Sequence, residues 1–212
     1  MKLLFFNSLF VLVTTFVYSQ SKGFVNGYYI NRNGSTVTGF VSIDKRISKE
    51  FRFKNSPGSN EVLVPFDSCK TISYGNQIFE VRNVSRSMSY VDKFSFDIIN
   101  PDSNIVSMLP LKLLYSGKIS LYYYHDIKDH FFMDDGDSTR ELCVLYRYLT
   151  DREKMKFVDR NMPKYVSDPA YKKQIESALG PKMSKEKWLL IENTEFDQRP
   201  LIKLFKSLNQ NL

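Results

Sequence analysis

The chain has 212 residues, 42% hydrophobic and 25% charged, with a formal net charge of +7. This is ordinary globular composition, which excludes a disordered chain, and the absence of internal repeats excludes a solenoid. Lys and Arg outnumber Asp and Glu by 16 to 14 over residues 20–149 and by 13 to 9 over residues 150–212, with no basic stripe, so nucleic acid is not an expected partner.

The first nineteen residues read as an address. Lys2 is the only charge before an apolar stretch from Leu3 to Val17, and Val17-Tyr18-Ser19 places small residues two apart before Gln20, the pattern of a leader-peptidase site. The stretch is broken by Asn7 and Ser8 and falls short of the roughly 20 apolar residues a stable span needs. Residues 1–19 are therefore expected to be a cleaved signal peptide, with no transmembrane segment in the remainder. The expected location is outside the cytoplasm: periplasmic, outer-membrane-associated or extracellular.

From Gly23 to Arg147 the hydrophobic period is close to two and the segments are separated by turn residues, the grammar of antiparallel strands. Phe24, Tyr28 and Ile30 alternate before Asn33-Gly34, which supplies a tight hairpin, and Val37, Val41 and Ile43 alternate on the return. Phe51 and Phe53 share a strand face, Asn55-Ser56-Pro57-Gly58 turns the chain, and Val62 with Val64 starts back. A further turn is expected at Gly75-Asn76, between Ile72-Tyr74 and Ile78-Phe79-Val81. Residues 85–104 read as a loop holding one strand around Phe94 and Phe96. Ile119 to His125 is the longest strand candidate, followed by Phe131-Phe132-Met133, a turn at Asp134-Asp135-Gly136-Asp137, and a return from Leu142 to Tyr146.

After Tyr148 the period changes to that of helices. Thr150 and Glu153 form a capping box, and Asp168-Pro169 is an N-cap and first-turn pair for a helix bearing Tyr171, Ile175 and Leu179 before Gly180-Pro181 stops it. Ser184 caps another helix, with Met183 and Trp188 as a hydrophobic staple, and Leu201, Leu204, Phe205 and Leu208 stripe a last one. The expected fold is α+β. It comprises a mainly antiparallel β-sheet, as a sandwich or partly open barrel, over residues 20–149, with a helical segment over 150–212 packed on it.

The segment Gly27-Tyr28-Tyr29-Ile30-Asn31-Arg32-Asn33-Gly34-Ser35-Thr36-Val37-Thr38-Gly39-Phe40-Val41 resembles an N-terminal motif of an uncharacterised family of exported Bacteroidota proteins. That motif typically reads Gly-Tyr-aliphatic and then Asn-Gly-Asp-Thr-aliphatic-x-Gly-x-aliphatic; Ser35 stands here in place of the Asp. Gly117-Lys118-Ile119-Ser120-Leu121-Tyr122-Tyr123-Tyr124, and the tail with Leu201-Ile202 and Asn209, also look like that group. The resemblance implies a shared fold and an exported address, and carries no activity. Asp137-Ser138-Thr139 resembles a short O-glycosylation acceptor pattern of such bacteria.

Candidate chemistry is sparse. His125 and His130, the only histidines, flank Asp126 and Asp129 and could gather a zinc ion, although a turn is a poor frame for the three rigid ligands a catalytic zinc needs. The Asp134–Asp137 turn concentrates carboxylates but lacks the spacing of a calcium loop. Cys69 and Cys143 could form a disulfide closing about 75 residues, a stabilisation of about 4 kcal/mol, or could both be buried as small apolar groups, Cys143 within a strand. There is no Gly-x-Ser-x-Gly elbow and no phosphate-cradling glycine loop. Tyr122 and Tyr124 share a strand face and could anchor a ligand by stacking, or simply pack. The expectation is an exported, non-enzymatic envelope module that binds or assembles, with an envelope protein or glycan as partner and no cofactor. The rivals are an envelope hydrolase using His125 and its neighbouring Asp residues, and a structural periplasmic partner of a membrane protein docking through an exposed Leu204/Leu208 stripe.

Overall fold

Strand pairing organises most of the chain. The computed structural model describes residues 23–43, 49–92, 94–95, 97–100, 103–154, 164–180 and 183–210. The leader reading of residues 1–19, the Phe96 half of the Phe94/Phe96 alternation and the Pro181 stop lie outside them. The architecture is α+β, with strands first and helices late in the chain. Among the described residues no helix is long and apolar enough to cross a membrane.

The Asn33-Gly34 hairpin forms as expected between β1 (Val25–Asn31) and β2 (Thr36–Ser42). Its core side is that of Tyr29, Val37 and Val41, opposite to the side of Tyr28 and Ile30. Gly27 and Gly39 face each other across the pair, and a Cβ on either would strike a carbonyl oxygen of the next strand, of Ser73 and Lys54 respectively. Both glycines are therefore needed for close strand approach. Next come β3 (Glu50–Lys54), β4 (Val62–Pro65) and β5 (Cys69–Tyr74). Phe51, Phe53, Val64, Phe66 and Ile72 fill one core with Val41 and Val81, and Tyr29 meets the edges of both Phe51 and Phe53.

After the expected Gly75-Asn76 turn, β6 (Gln77–Ser87) continues through what reads as the start of a loop. Two short strands, β7 (Tyr90–Val91) and β8 (Ile98–Ile99), pair with each other. The longest strand is β9 (Asn104–Tyr115), not the Ile119–His125 segment. Its residues are apolar on both faces and include Pro110, so no period of two marks it. Pro110 is registered with Val81 of β6 and lies beyond the last registered pair with β10 (Ser120–His125), which is Tyr123 with Lys112. Then follow β11 (Asp129–Asp134) and β12 (Thr139–Leu142).

All these strands except β7 and β8 join one antiparallel sheet in the order β12-β11-β10-β9-β6-β5-β1-β2-β3-β4. The sheet forks at β6. Gln77 to Glu80 pair with β5, whereas the far half of β6 is met by β12. Strands β6, β9, β10, β11 and β12 thus curl into a roll whose seam has no backbone ladder. With five strands in strict antiparallel alternation, the two seam strands run parallel. Side chains bridge them: Arg82 of β6 meets Asp134 Oδ2 at 2.7 Å and Thr139 Oγ1 at 3.4 Å, and the Ser87 N–H donates to Glu141 of β12.

β12 ends at Leu142, short of the expected return to Tyr146. Gln174 supplies the reason: its side chain accepts from the Cys143 N–H at 2.9 Å and donates to the Glu141 carbonyl at 2.9 Å, taking the place of a ladder partner. Cys143 therefore sits in a strand break. The chain resumes as β13 (Leu145–Tyr148), crosses a short α1 (Asp151–Lys154), and pairs back as β14 (Tyr165–Asp168). The Thr150–Glu153 capping box forms, with the Thr150 N–H donating to Glu153 at 3.0 Å. Asp168 ends β14 opposite Leu145 and does not cap the helix after it.

Helices α2 (Ala170–Leu179), α3 (Lys185–Glu192) and α4 (Gln198–Asn209) cover the outer face of the roll. Ser184 caps α3 as expected by accepting from the Lys187 N–H, while Trp188 remains exposed rather than closing a staple. Leu201, Leu204, Phe205 and Leu208 are all buried against Leu121, Phe131, Met133 and Leu142, so the last stripe faces inward and is not free to dock on a membrane protein. Asn209 accepts from the Ile119 N–H at 3.0 Å and donates to the Ile119 carbonyl at 2.9 Å. A Cβ on Gly117 would meet its Oδ1 at 2.5 Å. The Gly117–Ile119 segment and the end of α4, 90 residues apart in the chain, thus meet in space.

Candidate functional site

Alternation on four strands of the roll, β6, β9, β10 and β11, sends Val84, Leu109, Leu111, Tyr122 and Phe132 to its interior, forming an apolar waist. The same parity brings charges to both ends of that waist. At one end Arg82 lies 2.6 Å from Glu80 and 2.7 Å from Asp134, and the Tyr122 hydroxyl joins Glu80 and Arg82 at 3.1 Å each. Burial, reinforced by the Glu80 carboxylate, pushes the Tyr122 phenol up to about 12, so it stays neutral.

At the other end His130 has a fully buried ring between two carboxylates, with Nδ1 2.6 Å from Glu141 Oε1 and Nε2 3.0 Å from Asp126 Oδ1. Arg86 extends the chain: its Nε faces Asp126 Oδ2 at 2.9 Å as an ion pair without hydrogen-bond alignment, its Nη1 donates to Ser107, and its guanidinium lies over the Tyr124 ring. Burial alone would raise Asp126. The hydrogen bond and charge of His130 and the N–H groups of Lys128 and Ile127 outweigh it, leaving the carboxyl below its usual range. The network ties β6, the β10–β11 turn, β11 and β12 into one rigid end.

Against that end lies a cavity of about 650 Å³. Its walls come from the β10–β11 turn (His125, Ile127, Lys128, Asp129), the strand break (Glu141 to Val144), Tyr146 of β13 and Tyr165 of β14, the β7 segment, and Phe196-Asp197 before α4. Two edge-to-face pairs frame it: Tyr146 with Tyr165 at 5.7 Å and Phe131 with Phe196 at 5.2 Å. The walls are tied together, since the Ile98 N–H donates to the Tyr148 hydroxyl at 3.1 Å and Lys128 Nζ donates to the Ser89 carbonyl at 2.6 Å. Burial pushes the Lys128 ammonium below its usual range, against the pull of Glu141, Cys143 and Asp126. Burial, then the Glu141 carboxylate, pushes the Cys143 thiol up to about 11, so at neutral pH it is a protonated thiol and not a nucleophile.

No family model matches the chain, and no curated protein or solved structure matches it. The chemistry of the cavity therefore rests on its own residues.

The structure divides the candidate zinc set into two pairs. His130 and Asp126 belong to the interior network, whereas His125 and Asp129 pair at 2.7 Å on the cavity rim, where Asp129 also accepts from the Tyr123 hydroxyl at 2.7 Å. Among the described residues no group of three or more His, Cys, Asp and Glu side chains is placed to hold a metal. In the carboxylate turn, Asp134 points to Arg82 and Thr139, and Asp135 accepts from the N–H groups of Asp137 and Ser138. The Cys69–Cys143 disulfide is not formed; both thiols are free, Cys69 within the core of β1–β5 and Cys143 at the cavity wall. Tyr122 and Tyr124 do share a face, but it is the interior one: Tyr122 is 3% exposed, which removes it as a stacking surface.

Sequence reasoning missed Glu141, Arg86, Lys128, Tyr146 and Tyr165. Arg86 had a readable signal in its parity with Val84 on β6, since a strand in a roll carries one inward face, whereas Glu141 shares the face of Phe132 only through its register across β11 and β12. Tyr146 and Tyr165 had none, because the β13–β14 pairing joins segments separated by the 155–163 stretch.

Proposed function

We propose that the protein is an exported, non-enzymatic binding module of the cell envelope, and that its ligand site is the cavity between the β10–β11 turn and the β13–β14 pair. The observation that carries this reading is the cavity of about 650 Å³, walled by aromatic pairs and braced by a buried ion network. Loops set on a rigid frame are where binding residues concentrate, and a cavity of this size suits a small molecule or the end of a larger one. The leader pattern of Met1 to Ser19 supports export, and the protonated Cys143 thiol speaks against covalent chemistry. The test is ligand-observed NMR of envelope extracts against the wild-type protein and a Tyr146→Ala/Tyr165→Ala variant of matched folding. A component bound by the wild type and released by the variant supports the reading; extracts without any variant-sensitive component refute it.

The hydrolase reading draws on one specific observation, the exposed His125 imidazole oriented by Asp129 on the rim. In the same extracts, a new product that disappears with His125→Ala would select it over a binding module.

A further inference from the structure

We propose that the cavity selects an organic cation, an alkylammonium or similarly charged head with an apolar body. This rests on the cavity being the ligand site, and goes beyond it by naming the ligand's charge.

The charge of the lining runs against that of the whole chain. The chain carries +7, yet among the described residues the cavity is lined by four carboxylates, from Asp92, Asp129, Glu141 and Asp197, against one ammonium, from Lys128. Lys128 does not present its charge freely, because its Nζ is held by the Ser89 carbonyl and sits near Glu141. Glu141 is likewise turned to His130 and the Ser87 N–H, so this pair largely cancels. The three Asp residues remain at the rim, and each accepts from local donors. Asp92 accepts from the Ser95 and Phe94 N–H groups, which hold its carboxyl below the usual range. For Asp129, burial would raise the carboxyl, but hydrogen bonds from Tyr123 and His125 prevail and lower it. Asp197 accepts from the Gln198 N–H as the N-cap of α4. Protonation of His125 would offset one of these charges and still leave the lining acidic.

The aromatic content supplies the second half of the recognition. An aromatic face attracts a cation through its quadrupole, most strongly where water is excluded, while a carboxylate at the rim adds long-range attraction. Tyr146, Tyr165, Phe131 and Phe196 surround the same space as the three carboxylates. Among the described lining residues an anion would find only the tethered Lys128, and a neutral ligand would leave the acidic rim unanswered. The strand break supports the apolar body: Leu142, Val144 and Phe131 line the inner wall.

The experiment is calorimetric titration of the purified protein with three probes of one chain length below micelle formation: octyltrimethylammonium, octyl glucoside and octyl sulfate. The expected result is that the cation binds about tenfold or more tightly than the glucoside, that the sulfate is weakest, and that added salt weakens the cation alone. Tyr146→Leu should weaken the cation about tenfold whereas Tyr146→Phe, which keeps the ring face, should stay within about twofold of wild type. Asp129→Asn, which keeps the hydrogen-bonding shape, should reduce both the affinity and its salt dependence. Thermal melts of each variant check that the fold is intact. Equal binding of the three probes, each weakened by Tyr146→Leu, overturns the cation inference and leaves the cavity as a ligand site. Absence of binding, or binding indifferent to Tyr146→Leu, overturns both.

Discussion

The two halves of the sheet solve the same packing problem with different chemistry. In β1–β5 one face carries Tyr29, Phe51, Phe53 and Ile72, and neighbouring strands are held by backbone ladders. In the roll of β6 and β9–β12 the interior places charged groups at both ends of an apolar waist, and the seam is closed by Arg82, Asp134, Ser87 and Glu141 without a ladder. The first arrangement is stable and chemically plain. The second needs precise partners, and the cavity of about 650 Å³ lies against it.

The largest expected effects probe each half in its own currency of interaction. Phe51→Ala should destabilise by about 3–5 kcal/mol through a cavity in the aromatic core, and Glu141→Ala by a similar about 3–5 kcal/mol because it removes one of the two carboxylates that hold the buried His130 and leaves Nδ1 and the Ser87 N–H unpaired. Denaturant melts would measure both, and only the second should distort the pocket and abolish ligand binding. Equal loss of binding in both would erase the distinction between scaffold and site. Next in size, Asn209→Ala should cost about 1–3 kcal/mol, since it leaves the buried Ile119 N–H and carbonyl unpaired; a change within error would show that the helical tail does not clamp the β10 entry.

Acid should separate the halves further. The folded-state pKa of Asp126 is depressed, so its contribution is fully present above the unfolded value of about 3.9 and is lost as pH falls through the lower folded value. Hydrogen exchange in acid should therefore open β10–β12 before β1–β4, and simultaneous opening would contradict the ordering. The smallest effect is local: Ser184→Ala removes the α3 cap and should cost about 1 kcal/mol, visible in melts without any change in binding.

These halves also differ in how far their sequences announce them. The Asn33-Gly34 hairpin, the Phe51/Phe53 face and the Gly75-Asn76 turn are local patterns and appear in the structure where the residues place them. The α4 stripe is equally local, and buries all four of its apolar residues. The roll is different because its logic is nonlocal. Pro110 and a two-sided apolar run hide β9, and Gln174 ends β12 from 33 residues away. Tyr122 and Tyr124 are on one face, as their spacing says, but only the closure of the roll decides that the face is interior. His125 and His130 read as one cluster along the chain, and the strand-end geometry turns them to opposite tasks.

The most direct test of the division between scaffold and site is amide chemical-shift mapping of the protein during titration with octyltrimethylammonium. The account predicts shifts at Lys128, Asp129, Cys143, Tyr146 and Tyr165, with β1–β4 unmoved. Shifts centred on the β1–β4 hairpins, or none at the cavity residues at saturating probe, would contradict it.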